Sequence, residues 1–356
     1  MRILQAGNAN FGYIMAKELR RRGVEADLLV SHQAVSGQNF SINDPKNHDP
    51  GMDSYPDWML FYDRDKRIKT FHILQIMKKY DLICAYNTLP SYAMLSGKPY
   101  IAVTGGDELR KKAFEKSVTG YLLKRAYKKA DMVVYTWPVA LPYIQKLGLH
   151  HAQYIPRIWD SRGIARKSRP PNDGILRIFM PTAQLWDLKG NEKFLRAFVR
   201  LCKEDKNIHL YYIGWGRDAN RAQVLLSEPK AARRTTMIPG PISREEMAGY
   251  MSSSDILADQ FNTGSFTRMG IEAFHFGIPI LVNLDHPLYQ RTHGDMPSVL
   301  QCATENDIYR KISWSLENRD RLESIASDSQ KWVMRHFDIQ KNIDRHVELY
   351  QKILKK

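Results

Sequence analysis

The 356-residue chain is poor in cysteine and contains no long hydrophobic run. Its three cysteines, Cys84, Cys202 and Cys302, lie far apart and form no CxxC pair, which argues against a disulfide framework and a cysteine zinc site. No apolar segment approaches the roughly 18 residues of a membrane-spanning helix. The first residues also lack the extended apolar core of a signal peptide. We therefore expect a cytoplasmic protein.

Other signatures are missing as well. His150, His151 and His293 have no partners at metal-ligand spacing, so the sequence predicts no metal site. It contains no helix-turn-helix, zinc-finger or RNP aromatic pattern, so nucleic acid is not an expected partner.

Acidic residues are fewer than basic ones. Lys and Arg number 53 and Asp and Glu 38, a net charge of +15 that favours polyanionic partners such as anionic lipid or phosphorylated substrates. The excess is concentrated between Leu109 and Lys129, where eight basic residues accompany the single acidic residue Glu115. Apolar and basic residues alternate there at helical spacing, which predicts a helix lying on an anionic membrane surface. The alternative is a domain helix with an apolar face in the core and a basic face in water.

The length suggests two domains. Short β-rich runs alternate with amphipathic helical patterns, which predicts βαβ units and parallel sheets. The basic, Pro-Pro-containing segment 161–171 interrupts this alternation and is typical of a linker. We predict an N-terminal domain over 1–165, a C-terminal domain over 174–338, and a helix over 339–356 that packs back on the first domain. The fold class is thus α/β, with two Rossmann-like domains facing each other across a cleft.

Two glycine-containing segments lie at strand-to-helix junctions. Gly7-x4-Gly12 precedes a helix predicted from Tyr13 to Arg22, and glycines there let backbone N–H groups approach a phosphate. The alternative is an ordinary βα turn without a ligand, because neither GxGxxG nor a Walker A motif is present. Lys189-Gly190 follows a strand predicted over 176–180, where a lysine can act as a point charge for phosphate; taken alone, the pair is better explained as a solvated lysine beside a turn glycine.

Two further segments carry carboxylates. The loop Gly264-Ser265-Phe266-Thr267 leads into a short helix containing Glu272, a pattern suited to a phosphate and a ribose. The competing interpretation is that Glu272 only caps the helix or pairs on its surface. Gly105-Gly106-Asp107 follows the strand 100–104, which places a carboxylate at a strand end, although Asp is also a common turn residue.

Taken in order, these segments resemble the family-4 glycosyltransferases of the GT-B fold over nearly the whole chain. The matching segments are Gly7–Gly12, Tyr154–Asp160 with its Ile-Pro-x-x-x-Asp pattern, Thr182–Gly190, Ile238–Asp259 and Gly264–Pro279. The tail Glu272-Ala273-Phe274-His275-Phe276-Gly277-Ile278-Pro279 is the most specific match.

The resemblance implies a retaining, metal-independent transferase without a cofactor. Its donor is a nucleotide diphosphate sugar and its acceptor a glycan or lipid-linked sugar, as in cell-surface polysaccharide or glycolipid synthesis. Asp107 and Lys189 are the implied catalytic residues, Asp107 on the acceptor side. The implied donor-binding residues are Asn10, Gly12, Lys189, Pro241, Ile242, Gly264, Ser265, Phe266, Thr267 and Glu272, with Glu272 on the ribose and the backbone of Pro241 and Ile242 on the base.

Three positions depart from the family pattern. Gly264 replaces the first carboxylate of Glu-x7-Glu, Gln184 replaces the arginine that accompanies Lys189, and Thr104 or Gly105 replaces a frequent histidine. Two alternatives therefore stay open: a sugar-nucleotide epimerase, and a catalytically silent protein that binds nucleotide sugars.

Overall fold

The computed structural model describes residues 1–35, 44–47, 49, 52–65, 68–160, 173–240 and 242–355. The chain forms two compact units. The first comprises Met1–Asp160 and Phe337–Lys356, and the second Ser161–His336. The predicted linker 161–171 lies outside the described residues.

The first unit is built on a parallel sheet. Its strands are β1 (Arg2–Ala6), β2 (Glu25–Ser31), β3 (Met59–Tyr62), β4 (Leu82–Tyr86), β5 (Tyr100–Thr104), β6 (Met132–Tyr135) and β7 (Ala152–Tyr154). They pair in the order β3-β2-β1-β4-β5-β6-β7. Its first helices are α1 (Ala9–Arg21), α2 (Lys69–Met77), α3 (Pro90–Ser96), α4 (Asp107–Arg110), α5 (Val118–Lys129) and α6 (Leu141–Leu147).

The second unit repeats this plan. Its strands are β8 (Leu176–Met180), β9 (Ile208–Ile213), β10 (Thr235–Ile238), β11 (Ile256–Ala258), β12 (Ile280–Val282) and β13 (Leu300–Gln301), in the order β10-β9-β8-β11-β12-β13. Its helices are α7 (Trp186–Lys189), α8 (Asn191–Lys203), α9 (Ala219–Leu226), α10 (Pro229–Ala232), α11 (Arg244–Ser252), α12 (Arg268–His275), α13 (His286–His293), α14 (Glu305–Glu317) and α15 (Arg319–His336). The chain ends with α16 (Ile339–Leu354), which belongs to the first unit.

Helices cover both faces of the first sheet, which is why β4 and β5 are apolar and buried along their whole length. Side chains that alternate along the strands pack into two separate hydrophobic cores. One core contains Leu19 of α1 and Ile343 of α16. The other contains Ile73 of α2, Ala93 of α3 and Leu123 of α5. The sheet is therefore sandwiched between an α1/α16 layer and an α2/α3/α5 layer.

The C-terminal helix α16 packs against α1 within the first unit. The Arg22 guanidinium, just after α1, donates to the side-chain oxygen of Gln340 at 2.8 Å, and Arg345 donates to the carbonyl of Tyr154 at 2.9 Å. These bonds attach the last helix to residues far away in sequence.

Two predicted helices have different bounds. The prediction that the first helix begins at Tyr13 was wrong, because the Asn8 side chain accepts a hydrogen bond from Phe11 N at 3.0 Å and caps a helix starting at Ala9. The helix predicted over 109–129 was wrong as one element. It is divided into α4, a 3-10 turn at Lys112–Phe114 and α5, which begins after the capping residue Ser117. No helix in the described ranges is long and apolar enough to cross a membrane.

Candidate functional site

Three loops of the second unit meet at the carboxyl ends of β8, β9 and β11, the edge where ligands of parallel sheets bind. The loop after β8 is joined to the loop after β9 through Gln184 N, which donates to the carbonyl of Trp215 at 2.8 Å. It is joined to the loop after β11 through Phe261 N, which donates to the carbonyl of Lys189 at 2.6 Å. The three loops therefore form one hydrogen-bonded platform.

Gln184 lies at the centre of this platform. Its carbonyl accepts from Asp218 N at 2.9 Å, and Gly216, at φ +103°, lies so close that a Cβ there would be 2.6 Å from Gln184 N. The Gln184 side chain is fully buried, yet neither its amide nitrogen nor its amide oxygen has a hydrogen-bond partner among the described residues. An unpaired buried amide costs free energy, so a polar partner such as a bound water or a ligand would stabilise this group.

Lys189 ends the short helix α7, and Gly190, at φ +70°, turns the chain into α8. Burial of the Lys189 ammonium lowers its pKa, and the nearby carboxylate of Asp259 opposes that shift. The predicted lysine thus lies on the platform in a partly desolvated position, where a cation interacts strongly with an anionic ligand.

Asp259 follows β11 and is completely buried. It accepts hydrogen bonds from Thr267 N at 2.6 Å and Thr267 Oγ1 at 2.7 Å, while burial raises the pKa of its carboxyl to about 6. Thr267 Oγ1 also accepts from Met269 N at 3.1 Å and so caps α12. The sequence analysis gave Asp259 no role, although its position directly after a buried strand was the available signal.

The side chains of the predicted loop 264–267 are already engaged. Ser265 shares a 2.9 Å hydrogen bond with the Tyr289 hydroxyl, and Phe266 packs in an aromatic cluster with Phe274 and Trp332. Gly264, at φ +71°, accepts at its carbonyl from Asp285 N at 2.9 Å. What this loop can offer a ligand is consequently its backbone, apart from the Thr267 N–H that donates to Asp259.

Glu272 is buried in α12, and its Oε1 lies 3.2 Å from Nε of Arg268, one turn earlier. The carboxylate therefore has a cationic neighbour on its own helix, and its assignment to a ribose stays a prediction. Ile242 is half-buried just before Ser243, which forms a capping box with Glu246 at the start of α11. Pro241 lies outside the described residues.

The first unit contains a polar cavity of about 160 Å³ at the carboxyl ends of β1, β4, β5 and β6. It lies beside the junction of β1 and β4, where the strand order reverses and ligands of such sheets bind. Its lining residues are Asn8, Phe11, Tyr86, Asn87, Val103, Thr104, Gly105, Gly106, Glu108, Thr136 and Arg157.

Glu108, and not the predicted Asp107, lines this cavity. Glu108 Oε1 accepts from Thr104 Oγ1 at 3.1 Å and from the backbone N–H groups of Gly105 and Gly106 at 3.0 Å each. Its Oε2 has no hydrogen-bond partner within the described part of the chain. The Asp107 side chain is 46% exposed and pairs with Arg110 at 2.8 Å and Lys111 at 3.5 Å.

Of the two glycine-loop predictions, Asn10 is buried inside α1 and does not line the cavity, whereas Asn8, which was not predicted, does. Gly12 is not a loop residue: it lies within α1, and a Cβ there would be 2.7 Å from Leu28 Cδ1. Its lack of a side chain therefore lets α1 pack closely on the sheet.

Two further residues that the sequence analysis did not predict also line the cavity. Asn87 adopts φ +55°, rare for a non-glycine residue, and the Arg157 guanidinium lies 5.5 Å from the ring centre of Phe11.

No protein-family model matches the chain, and no curated protein matches it. Solved structures do match. HepE from Anabaena, crystallised with UDP and glucose, superposes with a TM-score of 0.75 at 14% identity, covering 99% of this chain and 100% of that one. Sucrose-phosphate synthase from Thermosynechococcus elongatus has a TM-score of 0.72 at 14% identity, with 100% of each chain covered. A putative UDP-N-acetylglucosamine 2-epimerase from Listeria monocytogenes has a TM-score of 0.60 at 13% identity, covering 97% of this chain and 94% of that one.

These likenesses show the fold, and the predicted class is confirmed: the chain has the α/β GT-B fold. Transferases and an epimerase share that fold, so the activity has to be argued from the residues of the site.

Proposed function

We propose that this protein is a glycosyltransferase that takes a sugar from a nucleotide diphosphate sugar. The bond between the anomeric carbon and the diphosphate breaks, a new bond forms to a hydroxyl oxygen of a glycan or lipid-linked acceptor, and the hydroxyl proton passes to the leaving diphosphate. The observation that carries the proposal is the buried, unpaired amide of Gln184 on the same platform as the desolvated ammonium of Lys189.

Each side chain has a distinct task in this proposal. Lys189 offsets the charge that develops on the leaving diphosphate, and such a preformed cation in a dry site stabilises the transition state. The Gln184 amide donates to a phosphate or sugar oxygen and accepts from a sugar hydroxyl, as a neutral amide can do and an arginine cannot. Glu272 binds the ribose, Ile242 and Pro241 meet the base, and the backbone of 264–267 contacts the donor.

The acceptor side belongs to the first unit in this proposal. Glu108 Oε2 accepts a hydrogen bond from the acceptor hydroxyl, while Oε1 is held by three donors and keeps the carboxylate oriented. A carboxylate fixed in this way loses little side-chain entropy on binding. The reaction retains the anomeric configuration, requires no metal ion, and serves cell-surface polysaccharide or glycolipid synthesis.

The first experiment is a thermal-shift screen of nucleoside diphosphates and their sugars, starting with UDP and UDP-glucose, because HepE was crystallised with them. A ligand at ~100 times its dissociation constant stabilises the fold by about 2.7 kcal/mol. Incubation of the stabilising donor with glycan and lipid-linked acceptors follows, with NMR of the product's anomeric centre and a parallel reaction in EDTA.

Three results would contradict parts of this proposal. Stabilisation by no nucleotide would remove the donor site. Binding without transfer or hydrolysis across the panel would favour a silent nucleotide-sugar-binding protein. Isomerisation of the free nucleotide sugar without acceptor would favour an epimerase, a chemistry that the Listeria neighbour's name makes worth testing.

A further inference from the structure

Large apolar side chains are exposed on one helical layer of the first unit. Five such side chains of this unit are more than half exposed among the described residues, with exposures from 54% to 77%. All five belong to α2, α3, α5 or the residue before α2: Ile68, Phe71, Leu95, Val118 and Tyr121. Clustered exposed apolar groups mark a surface that meets another apolar phase.

The same layer has a strongly basic character. Helices α2, α3 and α5 contain no acidic residue, whereas α1 and α16 on the opposite face of the sheet contain Glu18, Asp344 and Glu348. Exposed cations accompany the apolar side chains, and none of them forms an ion pair within the described residues: Lys78, Lys79, Lys112, Lys116, Lys124, Arg125, Lys128 and Lys129. We call the outward side of α2, α3 and α5, with the segment 111–117 and its one exposed acidic residue Glu115, the α2–α5 face.

Four of the five exposed apolar groups lie near one edge of the sheet, and Leu95, at the end of α3, lies nearer the other edge. A crossover helix runs antiparallel to the parallel strands that it connects, so its first turn lies near their carboxyl ends. Ile68 and Phe71 are at the start of α2, and Val118 and Tyr121 are at the start of α5. The polar cavity containing Glu108 opens at this same edge.

We propose that the α2–α5 face docks on an anionic lipid surface without crossing it. The exposed aromatic and aliphatic groups enter the boundary between headgroups and acyl chains, and the exposed cations of the same helical layer pair with lipid phosphates. A nucleic-acid backbone would satisfy the cations but would leave Phe71, Val118 and Tyr121 in water, so lipid is the better fit. Docking there would bring a lipid-linked acceptor to the edge that carries the Glu108 cavity.

Flotation of the full chain with phosphatidylcholine vesicles containing increasing phosphatidylglycerol tests the proposal. Bound protein is expected to rise with the anionic fraction and to fall between low and physiological salt, because exposed charges are screened. Salt does not screen the insertion of apolar side chains, so part of the protein is expected to stay bound to the vesicles at physiological salt, as a salt-resistant fraction. Absence of binding to anionic vesicles at low salt would overturn the proposal.

Two pairs of matched variants locate the surface. Reversal of Lys112, Lys116, Lys124 and Lys128 to Glu is expected to weaken binding by at least about tenfold. The control makes the same change in net charge at exposed cations elsewhere, which are also unpaired: Lys203, Arg233, Lys341 and Lys352.

The pair Phe71→Ser and Tyr121→Ser is expected to abolish the salt-resistant fraction, while Val224→Ser and Met334→Ser on the second unit leave it unchanged. Equal losses in variant and control would show that net charge alone acts, and would overturn the assignment of this face.

The result is separable from the proposed transfer reaction, because nucleotide binding is measured on the same variants by calorimetry without lipid. Unchanged nucleotide affinity in all of them is expected. Vesicle binding without any nucleotide binding would leave the docking face standing and remove the proposed donor site. Nucleotide binding without vesicle binding, or binding of RNA in place of vesicles under the same conditions, would overturn the docking face alone.

Discussion

Thr267 donates from both its backbone N–H and its hydroxyl to the two carboxylate oxygens of Asp259, at 2.6 and 2.7 Å. Because Asp259 follows β11 and Thr267 caps α12, this pair determines how the loop between strand and helix is folded. The carboxylate is wholly buried beside Lys189, so these two donors are what make its burial tolerable.

Replacing Thr267 with Val tests that relationship. The change removes one hydrogen bond to a buried carboxylate and the cap of α12, so we expect the free energy of unfolding to fall by about 1–3 kcal/mol. Urea unfolding measures it. Thr292→Val is the control, since its hydroxyl only donates back to the Leu288 carbonyl within α13. Equal losses in the free energy of unfolding would show that the hydrogen bond from Thr267 to Asp259 stabilises the fold no more than the Thr292 hydroxyl does.

Gln184→Leu separates stability from binding. Because the buried amide has no partner, leucine is expected to raise the free energy of unfolding of the ligand-free protein by about 1–3 kcal/mol. The same change is expected to weaken binding of the nucleotide sugar, since the ligand would lose its amide partner. Chemical unfolding and calorimetry give the two quantities. A Gln184→Leu protein that is less stable and binds donor normally would make Gln184 a packing residue.

Lys189→Ala and Glu272→Ala test the donor site. Removal of two charge-assisted hydrogen bonds, at ~1.5–3 kcal/mol each, is expected to weaken nucleoside diphosphate binding by more than about tenfold for each variant. Calorimetry measures the affinity, with the exposed Lys203→Ala and Glu245→Ala as controls. Arg268→Ala breaks the ion pair with Glu272 while keeping its carboxylate, and so separates a binding role from a structural one. Unchanged affinity in both Lys189→Ala and Glu272→Ala would refute the assignment.

Glu108→Gln and Asp107→Asn distinguish two neighbouring carboxylates. The sequence predicts that Asp107 supports turnover, whereas the cavity contains Glu108. We expect Glu108→Gln to lower turnover at least about tenfold with little effect on nucleotide affinity, because a charged hydrogen bond to the acceptor is weakened. Asp107→Asn is expected to change turnover less, since its carboxylate pairs with Arg110 and Lys111 on its own helix segment. The reverse order of effects would favour the sequence prediction.

His346 is expected to make the first unit sensitive to acid. It is buried in α16 with no hydrogen-bond partner for either ring nitrogen among the described residues, and burial lowers its pKa from 6.5 to about 3, aided by the positive charge of Arg345. Below pH 6.5 the imidazole of His346 binds a proton in the unfolded chain but stays neutral in the folded chain. Stability is therefore expected to fall by up to about 1.4 kcal/mol per pH unit between 6.5 and about 3. His346→Leu is expected to flatten this dependence in urea unfolding at pH 7 and 5, and the exposed His150→Leu is not.

The sequence by itself determined the local features of this protein. Continuous apolar runs such as Leu-Ile-Cys-Ala-Tyr in β4 report burial on both faces of a sheet, so the parallel α/β class could be predicted from them. The bounds of β5 and β8 were predicted correctly and the end of α16 to within two residues, because proline, glycine or charged residues flank these segments at Pro99, Gly105, Pro181 and Asp338. The start of α1 was missed because a capping asparagine at position 8 also looks like a loop residue.

Tertiary structure decided which polar groups line the cavity and which stay unpaired. Asp107 and Glu108 are adjacent in sequence, and only the fold of the Gly105-Gly106 turn directs Glu108 into the cavity while Asp107 turns to Arg110. Gln184 looked like the loss of an arginine, and the burial of its unpaired amide appears only in the folded chain, where Gly216 lies against its backbone. Hydrogen-bond satisfaction depends on atoms brought together from distant segments, and local sequence patterns carry no record of those distances.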